Sequence, residues 1–476
     1  MTIFAAFLSN AVFSLIVGLA CAAVLGPQEF GRFALGLAGA TLAQGLAFDW
    51  LRLAAARFYS QEARARRPAL RAGLDRGFLV AAAVVGLGAL AGALAAPADL
   101  RGLIGAAGAM AILNGLYDYR AALARALFLD GVFLRLMLAK NAGALVCVIG
   151  AAMWTGRAES ALAGAVVALA FALALARAAL ADPPFKAGAP GARRAEIAAG
   201  LGYAAPLVIA GALYAAAPML DRAWVAARWG YAESGYFSLA FDIGWRVLAA
   251  LGAALDVCLF QMAVRAEAQA GAVAAQTQAA RNLVIVFALL APAGLGLWLV
   301  GPSLESLLAP PEFRGPFLAR FEALLPGFFC LALASYGAQP AFQIERASAP
   351  LLAGAACAFA VNALALLAPE PGLVAGAQSL AFACALGVLA FGLRRAGLPG
   401  LDAREGLKVC AGALVMGACV WPLRALEPGA PTLAAQVLTG AFVYGSCAYA
   451  LDLAGLRSRR PPRPAKAAPV SPTANH

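Results

Sequence analysis

Charged side chains inside long apolar segments are the strongest chemical signal in this sequence. A charge in apolar surroundings is costly unless it is paired, so such residues are candidates for function. An arginine there can hold an anionic group such as a phosphate, and a carboxylate can bind a coupling ion. Asn10 and Gln44 add neutral hydrogen-bonding groups to the same kind of segment. The charged candidates are Asp49, Arg52, Arg57, Asp221, Arg222, Asp242, Arg246 and Asp256.

Some of these candidates are spaced so that they could neutralise each other. Asp242 and Arg246 lie four residues apart on one helical face, where opposite charges can pair and reduce their cost of burial. Such a pair could also release its arginine to an incoming phosphate. Asp49 and Arg52 allow the same two interpretations. Asp221 and Arg222 lie at the end of a predicted span, so solvation there is the alternative to a role in binding.

The residue types argue against an enzyme. The single histidine is His476, the last residue, which excludes a histidine relay, a His-ligated metal and a Ser-His-Asp triad within this chain. The cysteines lack Cys-x-x-Cys spacing, so neither a zinc site nor a disulfide framework is indicated. A Walker-type ATP motif is also missing from the sequence. We therefore expect no catalytic residues, no metal and no cofactor.

Composition places the candidate residues in a membrane. Of 476 residues, 63% are hydrophobic and 13% charged, about half the charged fraction of roughly 25% that is usual in soluble domains. Apolar runs of about eighteen residues or more recur along the chain, and each could cross a hydrocarbon core of about 30 Å. The net charge of +12 comes from residues in short loops, so no nucleic-acid partner is expected. The expected fold class is all-α and integral to the membrane.

The sequence predicts fourteen spans, which are apolar windows separated by Pro, Gly and charged residues. The first six are 3–25, 33–51, 78–96, 103–117, 136–154 and 161–179. The others are 200–220, 235–257, 283–300, 321–342, 349–367, 373–393, 407–425 and 432–451. The predicted domains are a six-helix lobe (1–181), a cytoplasmic linker (182–199), a second six-helix lobe (200–394), a helix pair (395–451) and a disordered basic tail (452–476).

The distribution of basic residues predicts the orientation of the chain. Seven arginines lie between Arg52 and Arg76, whereas the turn from Gly26 to Arg32 contains one. Because Lys and Arg collect on the cytoplasmic side, we expect both termini to be cytoplasmic in a bacterial inner membrane.

A short internal repeat connects the two lobes. The block that begins at Gly26 matches the block that begins at Gly230 at five of ten positions, with a constant offset of 204 residues. Six predicted spans separate the two copies, so both lobes would enter the membrane in the same sense. This is the parallel type of repeat found in transporters whose two lobes rock about a central site.

Several short motifs then appear in an order typical of one family. They are Gly26-Pro-Gln-Glu-Phe-Gly-Arg-Phe, Asp49-Trp-Leu-Arg52 through Arg57, Gly202-Tyr203-Ala-Ala-Pro206, Asp221-Arg222 with Gly235-Tyr-Phe, Pro311-Glu-Phe-Arg314, and Gly372-Leu-Val-Ala-Gly376-Ala. Together they resemble the polysaccharide-transporter branch of the multidrug/oligosaccharidyl-lipid/polysaccharide exporter superfamily, which includes O-antigen flippases. The resemblance covers nearly the whole chain.

The resemblance implies two six-helix lobes in a V shape, a central cavity lined by spans 1, 2, 7 and 8, and an accessory final pair of helices. It also implies export of an undecaprenyl-pyrophosphate-linked oligosaccharide, together with other polysaccharide assembly proteins as partners. We expect Arg52, Arg222, Arg246, Asn10 and Gln44 to bind the substrate. Asp49 and Asp242 are the candidates for ion coupling.

Other functions remain open from the sequence. A drug or metabolite exporter of the same superfamily would share the fold and would hold a cationic substrate with acidic groups. A major-facilitator transporter has similar halves, but Gly73-Leu-Asp75-Arg76-Gly77 fails the spacing of the motif expected after its second span. An integral-membrane polymerase or acyltransferase would usually need a long external loop, whereas every external connection here is short.

Overall fold

The protein is described here by a computed structural model that covers residues 2–60, 63, 66–67, 69–177, 179–180, 190–345 and 347–453. The side chains of residues 2–11, 190 and 257 are outside this description. The described chain is almost entirely helical and contains no β-strand. Thirteen of its helices are long and apolar enough to cross a membrane. The predicted class, an all-α membrane bundle, is therefore confirmed.

The first of these helices contains two predicted spans. Thr2–Phe58 is interrupted at Gly26, which has φ 66° and ψ 175°. A left-handed φ is readily adopted only by glycine, so the chain can turn sharply here. We name residues 2–25 α1 and residues 27–58 α2. With this break, the thirteen candidate helices accommodate the fourteen predicted spans.

The helices that follow correspond to the predicted spans in order. They are α3 (Ala69–Ala95), α4 (Ala98–Ala126), α5 (Asp130–Thr155), α6 (Ala158–Ala176), α7 (Pro190–Trp229), α8 (Tyr231–Ala270) and α9 (Ala272–Leu299). After the short α10 (Gly301–Leu308) come α11 (Pro316–Leu333), a π-helical segment (Ala334–Ala338) and α12 (Gln339–Ile344), which together form one span. The remainder are α13 (Ala349–Asn362), α14 (Pro371–Arg395), α15 (Ala403–Val420) and α16 (Ala430–Ala450).

Several helices are longer than the predicted spans, α4 and α7 among them. The predicted span 103–117 is only the centre of α4, which runs over 29 residues. The helix α7 begins at Pro190, inside the predicted linker 182–199, and continues to Trp229. Residues 182–189 of that linker, and the predicted tail from residue 454 onward, lie outside the described residues. The domain boundaries given above remain predictions.

The repeat found in the sequence has matching backbone geometry. Gly230 separates α7 from α8 with φ 95° and ψ 166°, close to the geometry of Gly26 between α1 and α2. The two glycines occupy equivalent positions of the repeat. The two lobes therefore have the same sharp glycine turn at equivalent positions, between α1 and α2 in the first lobe and between α7 and α8 in the second.

Candidate functional site

The two turns contact each other and close one end of the space between the lobes. A Cβ atom at Gly31 would lie 1.9 Å from the carbonyl oxygen of Tyr231, and a Cβ at Gly235 would lie 2.2 Å from that of Pro27. The offset of 204 maps Pro27 onto Tyr231 and Gly31 onto Gly235. In each lobe, a backbone carbonyl group therefore contacts the glycine of the other lobe. Only residues without a side chain allow the backbones to come so close.

Aromatic side chains fill the region around this contact. The ring of Phe313 lies 5.7 Å from Phe30 and 5.6 Å from Tyr236, in both cases edge to face. Phe30, Phe237 and Phe313 are almost fully buried. Edge-to-face pairs add to the stabilisation that area burial provides. We call this contact, made by residues 27–31 and 231–235 with the surrounding aromatic rings, the closed end.

A cavity of about 880 Å³ lies between the lobes on one side of the closed end. Its lining on α2 begins at Leu37, beyond Gly31, and its lining on α8 begins at Phe241, beyond Gly235. The expected helices α1, α2, α7 and α8 all contribute. Residues of α4, α5, α6, α11, α12, α13 and α14 complete the wall. Such a volume lies within the usual range for ligand sites.

The charged residues that line this cavity are mainly basic. Four are cationic and two are acidic, which gives the wall a formal charge of +2. In surroundings of low dielectric constant this excess favours an anionic ligand. The charged lining residues are Arg52, Lys140, Arg222, Arg246, Asp49 and Asp242.

Asp242 and Arg246 do not pair along α8, which corrects one interpretation of their spacing. Arg222 of α7 donates to Asp242 Oδ1 at 2.9 Å, and its guanidinium lies 4.9 Å from the ring centre of Phe241. Arg246 instead donates to Ser14 Oγ of α1, across the interface between the lobes. The tertiary contact between α7 and α8 thus replaces the pairing within one helix.

Arg222 is not solvated at the end of a span, as one alternative supposed. It is 6% exposed, and α7 continues for two turns beyond it. Its Nε atom is buried and has no hydrogen-bond partner among the described residues. Arg222 therefore lines the cavity with its charge partly neutralised by Asp242 and one donor unused.

Asp49 and Arg52 form the pair that their spacing allowed. Arg52 Nε donates to Asp49 Oδ1 at 3.4 Å, and both side chains are partly exposed in the cavity. At this length the pair is weak, so an anion can compete for the guanidinium. Arg57 lies at the end of α2, with its guanidinium 6.0 Å from the ring centre of Tyr203.

Gln44 lies behind the cavity wall rather than on it. It donates to Asp118 at 2.6 Å and accepts from Asn114 at 2.7 Å, and of these three only Asn114 lines the cavity. Gln44 therefore positions Asn114 instead of facing the cavity itself. The side chain of Asn10 is outside the described residues.

Lys140 of α5 is a cavity residue that the sequence analysis missed. Its Nζ lies 4.5 Å from the ring centre of Tyr117 on α4, a cation–π distance. The residue lies near the start of its span, so sequence reasoning treated its charge as one of the loop charges. Its spacing gave no signal, because no acidic residue lies three or four positions away.

A buried polar pair supports the second lobe behind Arg222. Asn362 of α13 donates to Asp221 Oδ1 at 2.8 Å, and the two residues are 4% and 2% exposed. The other carboxylate oxygen of Asp221 has no partner among the described residues. This hydrogen bond joins α7 to α13 and so fixes the helix that carries Arg222.

An Asn362→Leu variant is expected to unfold at a lower temperature than the native chain in detergent, because it leaves the Asp221 carboxylate buried without its donor. The expected loss is about 1–3 kcal/mol. Asp221→Leu combined with Asn362→Leu should cost less than the sum of the two single changes, because both polar partners are then removed. Thermal unfolding of the four proteins measures this coupling; strictly additive losses would contradict it.

Comparison with solved structures identifies proteins that share this fold. No family sequence model and no curated protein sequence matches the chain. A solved structure of the lipid II flippase MurJ, in an inward closed conformation, aligns with 95% of this chain and 99% of its own, at 12% identity and a TM-score of 0.71. An inward-facing multidrug resistance MATE family transporter of the MOP superfamily aligns with 82% of this chain and 95% of its own, at 14% identity and a TM-score of 0.61. The chain therefore has the fold shared by these two membrane transporters, as the sequence motifs had led us to expect.

Proposed function

We propose that this protein is a membrane transporter that moves a lipid-linked oligosaccharide, carried on undecaprenyl pyrophosphate, across a bacterial inner membrane. The observation that carries the proposal is the cavity between the lobes, whose charged lining is four cationic residues against two acidic ones. A pyrophosphate and its sugars cannot cross hydrocarbon without a polar path. The cavity offers that path, and the lipid chain can remain in the bilayer.

The orientation of the chain follows from its basic residues. With both termini cytoplasmic, the arginine-rich connection after α2 lies inside, and the closed end faces outward. The cavity side of α2, with Asp49 and Arg52, then faces the cytoplasm, where a lipid-linked sugar is assembled. An inside-negative potential would favour outward transfer of the anion by roughly 2.3 kcal/mol per charge per 100 mV.

Alternating access requires contacts between the lobes that can be exchanged. At the end away from the closed end, Phe58 of α2 lies 5.5 Å from Tyr203 of α7, and Arg67 forms an ion pair with Glu196. In the proposed cycle these contacts are strengthened when the closed end opens. Asp49 and Asp242 remain our candidates for proton or sodium coupling, and polysaccharide assembly proteins remain the proposed partners.

A drug or metabolite exporter is the second candidate, because the likeness to a multidrug transporter extends over most of the chain. A cationic drug would need free carboxylates in the cavity. Asp242 is instead held by Arg222 at 2.9 Å, Asp49 is paired only weakly with Arg52, and cations outnumber carboxylates in the lining by four to two. This balance of charge favours the anionic substrate.

Deleting the gene is expected to trap the lipid-linked oligosaccharide on the cytoplasmic leaflet. The measurement is the fraction of that pool accessible to a membrane-impermeant glycosidase or lectin in spheroplasts, with and without the gene restored on a plasmid. The proposed function predicts that the accessible fraction falls severalfold and recovers with the plasmid. An unchanged pool together with raised sensitivity to cationic drugs would favour the second candidate instead.

A further inference from the structure

One wall of the cavity carries a row of neutral polar side chains. Ser335, Gln339 and Gln343 are spaced by four residues, and all three line the cavity. They begin in the π-helical segment Ala334–Ala338 and continue along α12. The four cations lie on other helices, Arg52 on α2, Lys140 on α5, and Arg222 and Arg246 on α7 and α8. We call these three residues the polar row.

The local backbone explains why the polar row faces the cavity. A π-helical turn inserts one extra residue and shifts the face that a helix presents, and such turns are frequent at functional sites. Tyr336 in this turn packs against Gly252 of α8, where a Cβ would lie 2.1 Å from the ring. Glycine at that position lets the ring approach, so the π-helical segment is held against α8.

The polar row does not serve the protein's own hydrogen bonding. None of its three side chains bonds to any other described residue. An amide within an apolar wall is costly unless water or a ligand satisfies it. This cost applies to Gln339, which is partly buried, whereas Gln343 is exposed; both amides line the cavity without a partner in the protein, so both are open to a ligand.

The chemistry of the polar row suits sugar rather than phosphate. Its two amides and one hydroxyl donate and accept hydrogen bonds without carrying charge, and sugar hydroxyls also do both. Trp245 of α8 lines the same cavity and is held by Phe328, with ring centres 6.2 Å apart. Its indole offers an apolar face with a polar edge, on which the C–H face of a sugar ring can lie.

We propose that Ser335, Gln339, Gln343 and Trp245 form the subsite for the neutral sugars of the headgroup, beside the arginines that hold its pyrophosphate. This inference rests on the proposed function. The affinity for a glycolipid then has two independent parts: the cations bind the anion that all such lipids share, and the polar row recognises the glycan.

The test compares two probes, undecaprenyl pyrophosphate without sugar and the same lipid carrying a neutral trisaccharide. Native mass spectrometry of the full chain in detergent gives the dissociation constant for each. The native protein should bind the glycosylated lipid about tenfold more tightly, as expected for two neutral hydrogen bonds. The Gln339→Leu/Gln343→Leu double variant should lose most of this preference and bind the bare lipid as the native protein does.

The controls separate folding from sugar recognition. Gln261→Leu changes an exposed glutamine of α8 that is not part of the cavity wall, and it should keep the tenfold preference. Unchanged binding of the bare lipid shows that the double variant is folded, and Gln343→Leu alone should lose severalfold of the preference. A double variant that keeps the full preference, or a native protein without one, would overturn this inference. A native protein that binds neither lipid would overturn the proposed function as well.

Discussion

A Gly31→Ala variant is expected to lose transport by at least an order of magnitude while still inserting into the membrane. The added Cβ would lie 1.9 Å from the carbonyl oxygen of Tyr231 and 2.9 Å from the backbone nitrogen of Gly235. Both atoms belong to the backbone, so no side-chain rotation relieves the clash and α2 must move away from α8. The closed end then cannot form, and a transporter that cannot close one end cannot alternate access.

Hydrogen exchange measures this effect directly. The Gly31→Ala variant should exchange faster in both residues 27–36 and residues 231–240, because each segment protects the other. Gly39→Ala on the same helix is the matched control: its Cβ would lie 3.8 Å from Met219, an ordinary contact. The control should retain native exchange and transport. Native exchange in the Gly31→Ala variant would show that the closed end tolerates a side chain.

An Arg246→Ala variant is expected to abolish polysaccharide export without affecting membrane insertion. The change removes one of four cations from the cavity lining and the donor that reaches Ser14 across the lobes. A hydrogen bond to a charged group contributes about 1.5–3 kcal/mol, which corresponds to roughly ten- to more than a hundredfold in affinity. The measurement is surface polysaccharide per cell, normalised to the amount of variant in the membrane.

Ser14→Ala distinguishes binding from structural support. If Arg246 acts by holding α1 against α8, Ser14→Ala should reproduce the loss, because it removes the same hydrogen bond. If Arg246 binds the substrate, Ser14→Ala should retain most of the export, since the guanidinium remains in the cavity. Arg246→Lys should retain part of it, because a lysine keeps the charge without the planar donor fork. Normal export by a well-expressed Arg246→Ala variant would remove this residue from the site.

Much of the fold could be predicted from the sequence, because long apolar segments cross a membrane as helices. The repeat from Gly26 and from Gly230 also predicted where the lobes correspond. The extent of the helices could not be read in the same way. Polar residues normally end a span, yet α7 continues through Asp221 and Arg222, which are hydrogen-bonded to Asn362 and Asp242. Asn362 lies more than a hundred residues after Asp221, and Asp242 lies on the helix that follows Arg222.

The candidate site was predicted less completely. Arg52, Arg222, Arg246, Asp49 and Asp242 do line one cavity, but their roles in binding and coupling remain predictions. Gln44 was misplaced because spacing along one helix does not show whether a side chain faces a neighbour or a cavity. The polar row was missed because its members are uncharged and separated by apolar residues, and because a π-helical turn changes the face on which they lie.

The closed end has a consequence for how such a chain can arise. In a two-fold symmetric homodimer, one patch meets an identical patch and each contact occurs twice, an arrangement called isologous. The Pro27 carbonyl against Gly235 and the Tyr231 carbonyl against Gly31 have this arrangement within a single polypeptide. Residues of one half would therefore suffice to build the whole contact from two copies. A side chain at Gly31 would meet the backbone of Tyr231, and a side chain at Gly235 would meet the backbone of Pro27, so each half restricts what the other can carry, as the two subunits of a dimer do.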